Sequence, residues 1–215
     1  MKFILLLGAP GAGKGSISEY LVKHHNFIHV STGDIFRQLA NKNNKLANQI
    51  KKILAAGQLV PDSLTNQLIL DHLKQLEKIN YDQYVVLDGY PRTLSQASFF
   101  QQHFSLDRVI VLKCSQDQII FRLTNRLVCE KGLHTYHIVN KPPKSPYVCD
   151  IDQSMLIQRK DDQIDVILHR LRVYQTQTAS LIEFYKQLNL VIFVNADQSI
   201  EQTINEVNSV LNLKK

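Results

Sequence analysis

The sequence predicts an α/β protein: a parallel sheet of five strands with helices on both faces. Three observations carry this. Short apolar, β-branched runs recur along the chain, long helix-like stretches separate them, and the runs are continuously apolar rather than alternating. Continuous apolar strands between helices mark a sheet covered on both sides, and a ligand site is then expected at the strand C-termini.

Phe3 to Leu7 reads as the first buried strand. Its apolar run stops at Gly8 and leads to Lys14 rather than to a cleavage-like site, so a signal peptide is not expected. A weaker run, Phe27 to Val30, gives the second strand. Polar helical stretches then run from Ser31 towards Ala56-Gly57, and Pro61-Asp62 opens the next helix with the proline and acidic residue suited to a first turn. Tyr84 to Leu87 is a strand that ends on Asp88, followed by Val109 to Leu112, with Cys114 as a small packing residue at its end, and by Leu190 to Val194. The stretch from about Leu127 to Lys160 breaks the rhythm with Gly132, Pro142-Pro143 and Pro146. It is too long for a passive connection, so a functional lid or inserted lobe is expected.

At 215 residues and 44% hydrophobic, the chain can bury one substantial core. A net charge of +6 favours a polyanionic partner. With no Lys/Arg run, Gly/Ser linker, low-complexity tract or repeat, nucleic acid is not expected to be that partner. No apolar stretch reaches the length of a bilayer, so no membrane association is expected. Three cysteines argue against a disulfide framework, suit a reducing cytoplasm and leave a metal site open.

The segment Gly8-x-x-x-x-Gly13-Lys14, followed by Gly15 and Ser16, matches a phosphate loop between strand and helix. Glycines let successive backbone N–H groups converge on phosphate oxygens. The helix starting near Lys14 aims its positive end at them, Lys14 adds a full charge, and Ser16 can reach a magnesium ion. A nucleoside triphosphate is therefore expected here.

Gly8-Ala-Pro-Gly-Ala-Gly-Lys-Gly15, Ser31-Thr32-Gly33-Asp34, Leu87-Asp88-Gly89-Tyr90-Pro91-Arg92, and Arg159-Lys160-Asp161-Asp162 followed by Arg170 resemble the adenylate kinase family over essentially the whole chain. The resemblance implies the P-loop NTPase fold and magnesium-dependent exchange, ATP plus AMP giving two ADP. It implies a core over residues 1–30, 61–126 and 163–215, an AMP-binding lobe over 31–60 and a lid over 127–162. Gly11, Ala12, Gly13, Lys14, Gly15 and Ser16 would hold ATP, with Arg122, Thr135, Tyr136 and Gln198 around the donor. Thr32, Arg37, Gln58, Leu59, Val60, Gly89, Tyr90, Pro91, Arg92 and Gln96 would hold AMP, joined by Arg159 and Arg170. Lys14, Asp88, Arg92, Arg126, Arg159 and Arg170 would carry the catalysis.

Elementary chemistry agrees. Phosphoryl transfer between two nucleotides gathers many negative charges, so the catalyst must neutralise and align, and arginine forks suit paired oxygens. Asp88 at the end of an apolar strand suits the waters of a magnesium ion, and the Gln96 amide offers the donor and acceptor that an adenine edge needs. Leu127 stands where many relatives carry another arginine, and Ala196 where a glycine is common.

Within the lid, Cys129, His134, Cys149 and Asp152 follow the spacing C-x4-H-x14-C-x2-D, a plausible tetrahedral set for zinc. The resemblance also admits a metal-free lid held by polar contacts. Gly132 occupies the usual second-ligand position and His134 could supply that ligand, with His137 as a competitor. Iron or another soft divalent ion stays open. Alternatives for the whole chain are another nucleoside monophosphate kinase, a GTP-preferring AMP phosphotransferase, a non-catalytic nucleotide-binding regulator and a zinc-dependent interaction module. A monomer acting on ATP, AMP and ADP is expected.

Overall fold

A computed structural model describes residues 1–79, 82–131 and 134–213. Strands β1 (Lys2–Leu7), β2 (Ile28–Ser31), β3 (Tyr84–Asp88), β4 (Leu106–Lys113) and β8 (Val191–Asn195) form one parallel sheet in the order β2-β3-β1-β4-β8. This is the α/β arrangement that the continuous apolar runs predict.

Side-chain alternation divides β1 between two cores. Phe3, Leu5 and Leu7 pack with Val85, Leu87, Val109 and Val111 under α4 (Asp62–Ile79), α5 (Leu94–Gln101) and α8 (Ala179–Gln187). Ile4 and Leu6 pack with Val86, Ile110 and Leu112 under α1 (Lys14–His25) and α9 (Ile200–Val210). Both faces are dry, which is why these strands cannot alternate with polar residues. Burying each Leu or Ile of this kind contributes roughly 1.5–3 kcal/mol. The sheet is thereby a rigid platform for the loops at its C-terminal edge.

Between β2 and β3, α2 (Thr32–Ala40) and α3 (Lys45–Ala55) fold around their own small core of Phe36, Ile50 and Val60. The Ser31 side chain caps α2 by accepting from the Asp34 N–H at 3.2 Å, and Asn44 caps α3 by accepting from the Ala47 N–H at 2.8 Å. After α6 (Gln116–Thr124), β5 (Arg126–Cys129), β6 (Thr135–His137) and β7 (Leu156–Ile157) make a second, antiparallel sheet in the order β6-β5-β7. Strands of two to four residues are too short to show a periodic pattern, so this sheet is not legible in the sequence. The chain returns to the main sheet through α7 (Ile164–Val173) and a π-helical turn over Tyr174–Thr178. Among the described residues no helix is long and apolar enough to cross a membrane.

Candidate functional site

The loop from β1 to α1 crosses the C-terminal edge of the sheet. Gly13 adopts φ +102° as the residue that starts α1, a left-handed geometry that L side chains rarely enter. The Lys14 ammonium turns back onto the loop and donates to the Gly8 and Ala9 carbonyls at 2.8 and 3.0 Å. Burial drives its pKa down to about 8; Asp88 resists this, and Arg92, Arg170 and Arg126 push it down further. Gly15 and Ser16 lie exposed in the first turn of α1, where backbone N–H groups are available to an anion.

Asp88 stands at the end of β3. Burial opposes ionisation of its carboxyl, but the His29 ring, Lys14 and Arg92 outweigh that and hold it below the usual carboxylate range. His29, whose Nε2 lies 3.8 Å from Asp88 Oδ2, comes from β2 and was not foreseen as a site neighbour. A lone histidine in a weak strand gives no sequence signal; the parallel pairing of β2 with β3 brings it there.

The turn after β3 is tightly packed. Gly89 has φ +83°, and a Cβ there would lie 2.5 Å from Arg92 Nη2 and 2.7 Å from Thr32 Oγ1. The Gly89 carbonyl accepts from Thr32 Oγ1 at 2.7 Å and from Arg92 Nε at 2.8 Å, and the Tyr90–Pro91 peptide is cis. Buried Gln96 accepts from the Arg92 N–H through Oε1 and donates through Nε2 to Asp62, both at 2.7 Å. One amide hydrogen and one carbonyl lone pair remain for a ligand. Thr93 donates to the same Asp62 at 2.7 Å and caps α5. The hydroxyl of Tyr90 donates to Asn66 at 2.8 Å, so the phenol belongs to the core. Arg37 pairs with Asp34. Val60 is buried, Leu59 half-buried and Gln58 exposed.

Arg126, Arg159 and Arg170 meet around two aspartates. Asp162, fully buried, takes a two-pronged bond from Arg126 Nε and Nη2 at 2.8 and 2.6 Å. Asp161 accepts from Arg159 Nε at 2.8 Å and lies 3.1 Å from Arg170 Nη1. Burial works against the Asp161 charge, yet Arg159 and Arg170 bring its pKa down to about 2. Burial lowers the Arg170 pKa to about 10. In the sequence these aspartates stand out only as part of a motif; the structure gives them a role in holding the arginine forks.

On the other side of the phosphate loop, Arg122 donates through Nη2 to the carbonyls of Ala196 at 2.7 Å and Gln198 at 3.2 Å. It thereby ties α6 to the loop after β8. Gln198 Nε2 donates to the Asn195 carbonyl and to Glu206, both at 3.0 Å. Cys114 lies one residue past β4, half-buried, with Sγ 3.5 Å from Arg122 Nη1, so it is more than an apolar packing residue. Burial raises its thiol pKa to about 11.

In the second sheet, Thr135 is exposed while the Tyr136 ring turns into the small core of Leu127, Cys129, Cys149 and Leu156. The candidate ligand atoms of Cys129, His134, Cys149 and Asp152 all lie within 4.8 Å of one another. His134 Nδ1 is 3.7 Å from Cys129 Sγ, 3.3 Å from Cys149 Sγ and 3.8 Å from Asp152 Oδ2. A zinc tetrahedron with the usual Zn–S and Zn–N bonds has edges of about 3.3–3.8 Å. Asp152 Oδ1 is held by the Ser154 hydroxyl and amide at 2.6 and 3.0 Å, which keeps the carboxyl below the usual range. Its Oδ2 is buried without a hydrogen-bond partner among the described residues. The His134 N–H donates to Cys129 Sγ at 3.2 Å, as suits a thiolate. The four residues fit a tetrahedral cation. His137 is outside this group: its Nδ1 accepts from the Val139 and Asn140 N–H groups at 3.1 and 3.0 Å. Gly132 lies outside the described residues.

A family model described as adenylate kinase matches residues 6–190. The chain is 39% identical over 207 residues to an adenylate kinase of Mesomycoplasma hyopneumoniae, covering 96% of both chains. To one of Ureaplasma urealyticum it is 41% identical over 213 residues, covering 99% of both. To one of Onion yellows phytoplasma it is 38% identical over 214 residues, covering 97% of both.

Proposed function

Because the chain belongs to the adenylate kinase family and so catalyses ATP + AMP = 2 ADP, with magnesium accompanying ATP, we propose how its residues divide that work. Gly11 to Ser16 with Lys14 take the donor phosphates, and Arg122 and the Gln198 loop border the donor base, approached from the lid by the exposed Thr135; Tyr136, expected on that side too, turns its ring into the lid core. Thr32, Arg37, Gln58 to Val60, Gly89 to Arg92 and Gln96 take AMP. The carboxylate of Asp88 orients waters of the magnesium that arrives with ATP.

The observation that carries the assignment is an excess of buried cations at the sheet edge. Lys14, Arg92, Arg126, Arg159 and Arg170 sense one another's charge near the ends of β1 and β3; burial is the main cause of the lowered Lys14 and Arg170 pKa values, and the neighbouring cations lower them further. Such repulsion is tolerated where a polyanion resides in the working state. Two nucleotides meeting end to end supply it, and preorganised forks then stabilise the charge that spreads over the transferring phosphoryl group. Asp161 and Asp162 hold Arg126, Arg159 and Arg170 in place beforehand, so little ordering remains to be done when substrate binds. Residues 31–60 and 127–162 act as the two lobes that close over the nucleotides and exclude water.

In the lid, Cys129, His134, Cys149 and Asp152 hold a structural zinc. The fit of their spacing to a tetrahedron and the partnerless Asp152 Oδ2 support this reading. Thiolate ligands persist in a reducing compartment, so we place the protein in the cytoplasm. One chain carries both nucleotide subsites, which supports action as a monomer.

A steady-state assay with magnesium, across ATP and GTP as donors and the common monophosphates as acceptors, tests the assignment. We expect the highest kcat/KM for ATP with AMP. Faster phosphorylation of another monophosphate, with AMP idle, would overturn the acceptor subsite; a better kcat/KM with GTP than with ATP would overturn the donor subsite.

A further inference from the structure

We propose that Tyr136 is a positioning residue of the lid metal site, its hydroxyl hydrogen-bonding the Cys149 thiolate and setting how tightly the quartet holds its metal. The inference rests on the reading of the quartet as a zinc site.

Tyr136 is 5% exposed, with its ring among the lid's own apolar residues. Its hydroxyl oxygen lies 3.6 Å from Cys149 Sγ and accepts from the Asp150 N–H at 2.9 Å. Donor bookkeeping decides which way the sulfur contact runs. The phenol has one proton, and its oxygen is already an acceptor for Asp150. A metal-bound cysteine is a thiolate with no proton to give, so the hydrogen in the contact must come from Tyr136. The other sulfur has its own donor in the His134 N–H, 3.2 Å from Cys129 Sγ. Each thiolate thus has a proton aimed at it by a group that is not itself a ligand atom: the His134 backbone N–H for Cys129 and the Tyr136 phenol for Cys149.

Such donors are needed here for an electrostatic reason. Two thiolates and one carboxylate bring three negative charges to a divalent ion, leaving the site with an excess negative charge in a pocket where both sulfurs are fully buried. A hydrogen bond to sulfur disperses that charge and fixes the direction of the ligand. Outer partners of this kind typically alter metal affinity 10–100-fold.

A purely structural role for the phenol, satisfying Asp150 and filling the lid core, would leave the electronic state of the sulfur unchanged. The experiment separates the two. Wild-type protein is assayed for zinc content, then titrated with zinc against a chromophoric chelator, beside Tyr136→Phe. Both are also loaded with cobalt(II), and the sulfur-to-cobalt charge-transfer band is recorded. We expect one zinc per wild-type chain, at least tenfold weaker zinc binding by Tyr136→Phe, and a shift of the band to longer wavelength, since the freed sulfur gives up electron density more easily. A 3-fluorotyrosine placed at position 136 keeps the shape and is a stronger donor, so its band should move to shorter wavelength. This second variant reads the same bond if Tyr136→Phe does not fold. Zinc-binding protein whose affinity and band are unmoved by either replacement overturns the role of Tyr136. Wild-type protein that takes up no zinc overturns the metal reading itself, and the inference with it.

Discussion

The two segments inserted into the core, residues 31–60 and 127–162, are held together in opposite ways. The first folds as α2 and α3 around Phe36, Ile50 and Val60, with Leu39, Ile53, Leu54, Leu64 and Leu68 leaning on them. Among the described residues, the second has only Leu127, Tyr136, Leu156 and two cysteines at its centre, and leaves Ile138, Val139, Tyr147, Ile151 and Met155 exposed. A lobe with so small a core needs a cross-link, and the Cys/His/Cys/Asp group is of the right kind to be one. Charge divides them too. In the first segment Arg37, Lys42, Lys45, Lys51 and Lys52 face a single acid, Asp34, whereas in the second Glu130, Asp150, Asp152, Asp161 and Asp162 balance Lys131, Lys141, Lys144, Arg159 and Lys160. On the proposed assignment, apolar packing supports the lobe that would attract an anion, and ligand chemistry the one that would cover the site.

The largest effect should fall outside both lobes. Lys14→Gln is expected to lower turnover at least about a hundredfold while leaving metal content and the melting of both lobes unchanged. A loss below tenfold would shift the catalytic weight from the core to the lobes. The pH profile probes the same group. With a folded pKa of about 8 against an ordinary 10.5, Lys14 sheds its proton early in the folded free enzyme. Above about pH 8, kcat/KM for ATP should fall, approaching tenfold per pH unit, and a flat profile to pH 10 would refute a buried Lys14 cation. Stability moves the other way: between pH 8 and 10.5 the unfolded chain binds the proton that the folded one has lost, so this group's contribution rises with pH there.

Metal removal should strike only the lid. Chelation is expected to lower the melting temperature by at least about 5 °C and to speed proteolysis between residues 138 and 155 about tenfold, with cleavage in 31–60 unchanged. Equal sensitivity of both segments would erase the contrast between them. Ile50→Ala is the converse test. The cavity should destabilise its lobe by about 2–5 kcal/mol and raise KM for AMP severalfold, with zinc stoichiometry untouched. The smallest effect expected is one of ionic strength. If the surplus lysines of residues 42–52 steer an anion, raising salt from 50 to 300 mM should lower kcat/KM for AMP about threefold and that for ATP less.

Legibility in the sequence follows the range of the interaction. The phosphate loop, Asp88 at a strand end, and the five parallel strands were all readable, because a left-handed glycine, a helix start and a continuously apolar run are properties of neighbouring residues. Cys129, His134, Cys149 and Asp152 were readable as a candidate set through their spacing and the family's lid pattern, with His137 left as a competitor. The hydroxyl of Tyr90 could be noticed but not given its partner, Asn66, which comes from α4. Nor did the three-stranded sheet of β5, β6 and β7 show, since strands of two to four residues are too short to repeat a pattern.

By itself, then, the sequence determined the fold class and the phosphate-loop pattern, because backbone freedom, helix dipoles and apolar period act within a few residues; the acceptor-side residues were implied only by the family resemblance. Only the tertiary structure decided that His29 stands beside Asp88, that Asp161 and Asp162 hold the arginine forks, that His137 lies outside the Cys/His/Cys/Asp group, and that Tyr136 faces sulfur. Those outcomes depend on strand register and packing between segments far apart in the chain, and no local pattern encodes them.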